Sequence, residues 1–157
     1  MVKIVILAIG KKHDQKLKDA IEEYTNRLKH YAPTSWELVE AKTSSSMSPH
    51  EIKETESRLL LSKLNSEDKV ILLDETGTEL NSVEHADALH KHLNKATKQL
   101  VFVIGGAYGV SNELKKRADF VWSLSPLVFP HQLVRLMLVE QLYRGFSINH
   151  NEKYHHE

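Results

Sequence analysis

Residues 100–109 read Leu100-Val101-Phe102-Val103-Ile104-Gly105-Gly106-Ala107-Tyr108-Gly109, an apolar run that stops on a glycine pair. Unbroken apolarity over that length is expected of a strand buried on both faces. Glycines directly after a strand leave bare backbone against which a ligand can lie, or simply make a tight turn. Ser111 can then cap a short helix ending near Ala118, so the segment reads as strand, loop and helix.

The same alternation extends in both directions. Lys3 to Ile9 is a buried-strand run, and Leu17, Ile21, Tyr24 and Leu28 follow on one face of a helix. Trp36 to Val39 reads as a strand and Lys42 to Met47 as an exposed loop. Ser48-Pro49-His50-Glu51 then gives a full helix start, with Ser48 as cap, Pro49 in the first turn and Glu51 closing the capping box. That helix is expected to run to about Leu64. Val70 to Leu73 is the next strand, closed by a turn around Gly77, and a helix from about Ser82 to Asn94 leads into residues 100–109. Phe120 to Ser123 makes a fifth short strand, and a last helix runs from about His131 to Phe146 before a polar tail. Such alternation predicts an α/β domain spanning residues 1–157, its sheet mostly parallel with helices on both faces.

The last helix is apolar on more than one side. Leu133, Val134, Leu136, Met137, Leu138, Val139, Leu142, Tyr143 and Phe146 cannot all face one sheet, so the helix calls for burial on two sides. In a chain this small the second cover is expected to be another subunit, giving a homodimer; a helix buried inside a monomer is the alternative.

Composition narrows the chemistry. The chain has 41% hydrophobic and 27% charged residues and no cysteine, values typical of a globular protein. Disulfides, thiolate catalysis and cysteine-based metal sites are excluded, in keeping with a cytoplasmic location. The apolar run from Val2 to Ile9 is too short to span a bilayer, and it lacks a signal-peptide cleavage site. Lys and Arg total 21 and Asp and Glu total 21, so a nucleic-acid partner would have to be met by a local basic surface and by shape. After the first strand Ile9-Gly10-Lys11-Lys12 lacks the G-x-G-x-x-G pattern, and no G-x-x-x-x-G-K-S/T loop is present, which argues against nicotinamide and ATP chemistry. His85, His90 and His92 share a helix without the four-residue spacing of a zinc pair, and His155 and His156 are adjacent. No metal is expected, and these histidines read as solvated. Ser123 and Ser125 lack a nucleophile elbow.

Three strand ends carry the candidate site: Leu73, Gly105-Gly106, and the loop from Ser125 to Pro130. Open parallel sheets bind ligands beyond the carboxyl ends of their strands.

Four stretches together resemble one family. Val103-Ile104-Gly105-Gly106-Ala107-Tyr108-Gly109, Trp122-Ser123-Leu124-Ser125, Phe129-Pro130-His131-Gln132-Leu133-Val134-Arg135 and Glu140-Gln141-Leu142-Tyr143-Arg144 are similar, in order and spacing, to the SPOUT RNA methyltransferases. Within these, the resemblance is to the RlmH type, which methylates N3 of a pseudouridine in large-subunit ribosomal RNA. It extends from Lys3-Ile4-Val5-Ile6-Leu7-Ala8-Ile9-Gly10 to Tyr154-His155. The resemblance implies a C-terminal trefoil knot, against the ordinary rule that connections do not thread. It also implies S-adenosylmethionine as methyl donor, a homodimer, and 23S ribosomal RNA in the assembled ribosome as partner. Donor contacts are implied for Leu73, Gly105, Gly106, Ser125, Pro126, Leu127, Val128, Phe129 and Pro130.

With a methyl already activated on sulfonium, the protein mainly aligns donor and acceptor and excludes water. N3 of pseudouridine must also lose a proton, a task suited to histidine; His131 and His155 are the candidates. Arg144 and Tyr154 can hold phosphate or stack on a base, although Arg144 can equally pair with Glu140 at i,i+4 spacing. Arg135 is expected to meet phosphate or the partner subunit. One departure stands out: where the resemblance implies a basic residue after Tyr154-His155, this chain has His156 before Glu157, which makes RNA engagement sensitive to pH. The alternative functions are a non-catalytic ribosome-binding factor that retains the fold and a flavodoxin-like nucleotide module.

Overall fold

The computed structural model describes residues 1–94 and 96–156; Lys95 and Glu157 lie outside the described residues. Strands and helices alternate: β1 (Lys3–Ile9), α1 (Lys18–Leu28), β2 (Thr34–Val39), α2 (Pro49–Ser62), β3 (Lys69–Glu79), α3 (Ser82–His92), β4 (Gln99–Ile104), α4 (Asn112–Arg117), β5 (Phe120–Ser123) and α5 (His131–Asn149). Every pairing among these strands is parallel, in the order β2-β1-β4-β3-β5. The α/β class is therefore as expected, and the carboxyl ends of all the strands meet at one edge.

Helices cover both faces because the central strands are apolar on both. In β1, Ile4, Ile6 and Ala8 pack with Leu28 of α1, Leu89 of α3 and Leu138, Val139, Leu142 and Phe146 of α5. Val5, Leu7 and Ile9 point the other way, to Leu60 of α2 and Leu114 of α4. This two-sided burial is why the central strands read as continuous apolar runs.

Helix starts follow local chemistry. In the expected capping box, Glu51 N donates to Ser48 Oγ at 3.1 Å and Ser48 N to Glu51 Oε1 at 3.5 Å. A second box, missed in the sequence, starts α3: Glu84 N donates to Asn81 Oδ1 at 2.8 Å and Asn81 N to Glu84 Oε1 at 2.9 Å. Ser111 caps α4 as expected, its Oγ accepting from Leu114 N.

Three boundaries need correction. β2 begins at Thr34, where Ile4 of β1 finds its partner. α5 continues to Asn149, with Ser147 Oγ donating to the Arg144 carbonyl. β3 does not end at Leu73: after an irregularity it resumes, so that Leu73 and Thr78 both face Trp122. Gly77 permits the resumption. A Cβ there would stand 2.5 Å from the Val121 carbonyl oxygen, so the expected turn is instead a close backbone approach.

Candidate active site

The loops after β3, β4 and β5, with the first turn of α5, enclose a cavity of about 610 Å³ at the carboxyl edge of the sheet. Its size is that of a small-molecule site. Leu73, Gly105, Gly106, Ser125, Leu127, Val128, Phe129 and Pro130 line it, and so does His131. Pro126 belongs to the same loop but is not among the lining residues.

The glycine floor is crowded from behind. A Cβ on Gly105 would come within 2.6 Å of Val110 Cγ1 and 3.2 Å of the Gly109 carbonyl oxygen; one on Gly106 would meet the Glu56 carboxylate at 2.5 Å. Ser111 N donates to Ser57 Oγ at 2.9 Å, tying this loop to α2. The Ser125 loop is shaped by its own hydroxyls: Ser123 Oγ donates to the Ser125 carbonyl at 2.9 Å, and Leu127 N donates to Ser125 Oγ at 3.0 Å. Leu127 and Val128 are nonetheless largely exposed. Burial and the nearby Arg135 cation hold the His131 imidazole below its ordinary pKa, so it is neutral at neutral pH and able to accept a proton.

Other lining residues were not assigned to the site from the sequence. Trp122 is buried in the cavity wall, and Asp74 and Glu75 give it an acidic side. Lys115 Nζ lies 3.6 Å from Asp74. Behind the wall, Glu56 Oε1 is buried with no hydrogen-bond partner among the described residues, and burial raises the Glu56 pKa. Nothing local in the sequence marks Glu56, because its neighbour Gly106 comes from another strand end.

Arg144, Tyr154 and His155 do not line the cavity. They form a second cluster against α1. Arg144 donates to Glu140 Oε1 from Nε at 2.9 Å and Nη2 at 2.6 Å, and from Nη1 to His155 Nδ1 at 3.0 Å. Its guanidinium also lies 4.8 Å from the Tyr154 ring centre. The Tyr154 hydroxyl lies 3.1 Å from Glu140 Oε1, to which it donates, and 2.9 Å from the Tyr24 hydroxyl. Burial first, then the bond with Tyr24, raises the Tyr154 pKa. The i,i+4 pairing of Arg144 with Glu140 is thus present within the chain.

Two further expectations are corrected. Arg135 meets neither solvent nor a partner surface but is completely buried. Its Nη groups donate to the carbonyls of Ile9 at 2.8 Å, Gly10 at 3.2 Å and Lys12 at 3.1 Å, which replace water at that end, while its Nε has no partner among the described residues. His85 is not solvated either: it is 4% exposed, and its Nε2 donates to the Gln141 carbonyl at 3.1 Å. Among the described residues no group of three or more His, Asp or Glu side chains is placed to hold a metal, and no helix is long and apolar enough to cross a membrane.

A family model described as "Predicted SPOUT methyltransferase" matches residues 2–155. The chain is 45% identical over 155 residues to a protein of Flavobacterium johnsoniae named ribosomal RNA large subunit methyltransferase H, covering 98% of this chain and 99% of that one. It is 41% identical over 157 residues to the protein of that name from Parabacteroides distasonis, covering 99% and 100%. A solved structure of a "probable methylase family protein" from Haemophilus influenzae overlays with a TM-score of 0.54 at 14% identity, covering 99% of this chain and 70% of that one; at that identity it speaks to the fold alone.

Proposed function

The chain belongs to the SPOUT methyltransferase family, and from that premise we propose that it transfers a methyl group from S-adenosylmethionine to N3 of a pseudouridine in 23S ribosomal RNA. The substrate is the assembled ribosome, the working unit a cytoplasmic homodimer, and the C-terminal region a trefoil knot. One observation carries the reading: three of the four stretches that resemble the family converge on one cavity, floored by glycine and walled by the Ser125 to Pro130 loop. A non-catalytic factor would have no reason to keep that cavity open, and the relatives are named as methyltransferases.

The cavity fits the donor by volume and by its bare backbone at Gly105 and Gly106, and its acidic side at Asp74 and Glu75 suits a cationic ligand. When bound there, S-adenosylmethionine supplies an activated methyl group. Leu73, Gly105, Gly106 and the Ser125 to Pro130 loop hold it, while Trp122 and Val134 exclude water. His131, at the cavity edge and neutral, takes the N3 proton. Arg144, Tyr154 and His155 offer an aromatic, hydrogen-bonding surface for the RNA. Within one chain that surface stands apart from the cavity.

The dimer is supported by what one chain leaves uncovered. Leu138, Val139, Leu142 and Phe146 of α5 are buried in the core, whereas Leu133, Leu136 and Met137 are only half-buried. Leu127 and Val128, 66% and 80% exposed, add apolar surface at the cavity.

The test is methyl transfer from labelled donor to ribosomes from a strain lacking the protein. Label in large-subunit RNA as N3-methylpseudouridine is the expected result. Donor binding without transfer to ribosomes, subunits or free RNA overturns the substrate, and absence of donor binding returns the non-catalytic factor.

A further inference from the structure

The β1–α1 connection, residues 10–17, is the most basic stretch near the cavity, and the site described above does not use it. Residues 11–18 read Lys11-Lys12-His13-Asp14-Gln15-Lys16-Leu17-Lys18, four lysines and one aspartate in a chain of zero net charge. The aspartate is occupied locally: Asp14 Oδ1 accepts from Lys16 N at 2.8 Å, and its carbonyl accepts from Leu17 N and Lys18 N. All four lysines are exposed. Among the described residues only Lys18 has a carboxylate within reach, Glu22 at 3.9 Å.

Position and rigidity set this loop apart from an ordinary solvated charge run. It leaves β1 next to β4, whose end forms the glycine floor. It is held by α5, whose first turns also supply His131 and Val134 to the cavity. Arg135 binds the Ile9, Gly10 and Lys12 carbonyls and donates to His13 Nδ1 at 3.1 Å. Gln132 Nε2 donates to the Lys12 carbonyl at 3.2 Å, and Asp14 N donates to Gln132 Oε1 at 2.9 Å. Gly10 has φ +117°, and a Cβ there would stand 2.7 Å from Arg135 Nη2. The His13 ring packs edge-on against Trp36, centroids 4.6 Å apart. A loop already fixed in shape loses little entropy when it binds.

We propose that residues 11–18 form a preorganised phosphate-binding arm, seating RNA backbone beside the cavity through Lys11, Lys12 and Lys16, and that Arg135 and Gln132 are its positioning residues. The inference rests on the RNA substrate proposed above. Cationic heads without an apolar patch between them suit a polyanion better than a protein surface. Concentrating charge there also lets a neutral protein capture RNA in one place.

The test compares the full chain with Lys11→Glu/Lys12→Glu/Lys16→Glu and with a control of equal charge change on other exposed lysines, Lys63→Glu/Lys91→Glu/Lys98→Glu. Co-sedimentation with ribosomes reads binding without requiring turnover, and labelled-methyl transfer reads the reaction. The arm variant is expected to lose about tenfold or more in ribosome affinity and to flatten the salt dependence by about one unit of log–log slope for each phosphate it no longer neutralises. Its donor affinity and thermal midpoint stay at the wild-type values, and the control stays close to wild type in every measurement. Equal ribosome affinity of arm variant and wild type, or equal losses in arm variant and control, overturns the arm. Wild-type chain that binds ribosomes through these lysines yet transfers no methyl overturns the reaction and keeps the arm.

Discussion

The imidazole of His85 lies flat on the indole of Trp122, ring centres 4.2 Å apart and planes within 10°, and so links α3 to the cavity wall. The same imidazole donates to the Gln141 carbonyl of α5. One buried histidine therefore joins two helices and the inner wall of the site.

That histidine makes stability depend on pH. Burial lowers the His85 pKa from 6.5 to about 4, so the unfolded chain binds a proton more readily than the folded one. Its stabilising contribution is complete above pH 6.5 and is lost as pH falls toward 4, by about 1.4 kcal/mol per pH unit within that window. Urea unfolding across this range is expected to show a falling midpoint in wild type and a flatter profile in His85→Phe, which keeps the stack and removes the titration. Equal slopes in the two proteins would refute the assignment.

Gly105→Ala is expected to disturb the donor floor without unfolding the chain. The added methyl meets Val110 Cγ1 and the Gly109 carbonyl, and overpacking of this kind costs about 1–3 kcal/mol. Because the loop yields more easily than the sheet, the loss should appear in donor affinity, at about tenfold or more by calorimetry. Unchanged affinity would remove Gly105 from the donor site.

His131→Ala separates binding from chemistry. As the proposed proton acceptor, His131 should be worth about 10²–10⁴ in turnover, with donor affinity near wild type. Because burial and Arg135 lower its pKa, the wild-type rate is expected to decline at a lower pH than an ordinary imidazole would give. A variant with wild-type turnover, or a rate already falling between about pH 8 and 7, assigns the base elsewhere.

Leu136→Glu and Met137→Glu place charge on the part of α5 that its own chain leaves half-covered. Light scattering should show a dimer for wild type and a monomer for each variant, with far-ultraviolet circular dichroism unchanged. A wild-type monomer, or dimeric variants, would leave the second apolar side of α5 without its proposed cover.

What the sequence determined by itself was local. Apolar runs marked strands because β1 and β4 are buried on both faces, Ser48, Pro49 and Glu51 marked a helix start, and Gly105-Gly106 marked the strand end that floors the cavity. The motif order between Val103 and Arg144 marked the family. Each of these signals is written in consecutive residues or at helical spacing, where backbone sterics and capping act directly. Tertiary structure decided the rest. Gly77 read as a turn until Val121 lay against it, and His85 read as solvated until Trp122 covered it. Arg135 read as a surface cation until carbonyls some 125 positions away enclosed it. In all three, the deciding contact comes from a distant segment, so the free energy that fixes the residue's role exists only once the sheet has assembled.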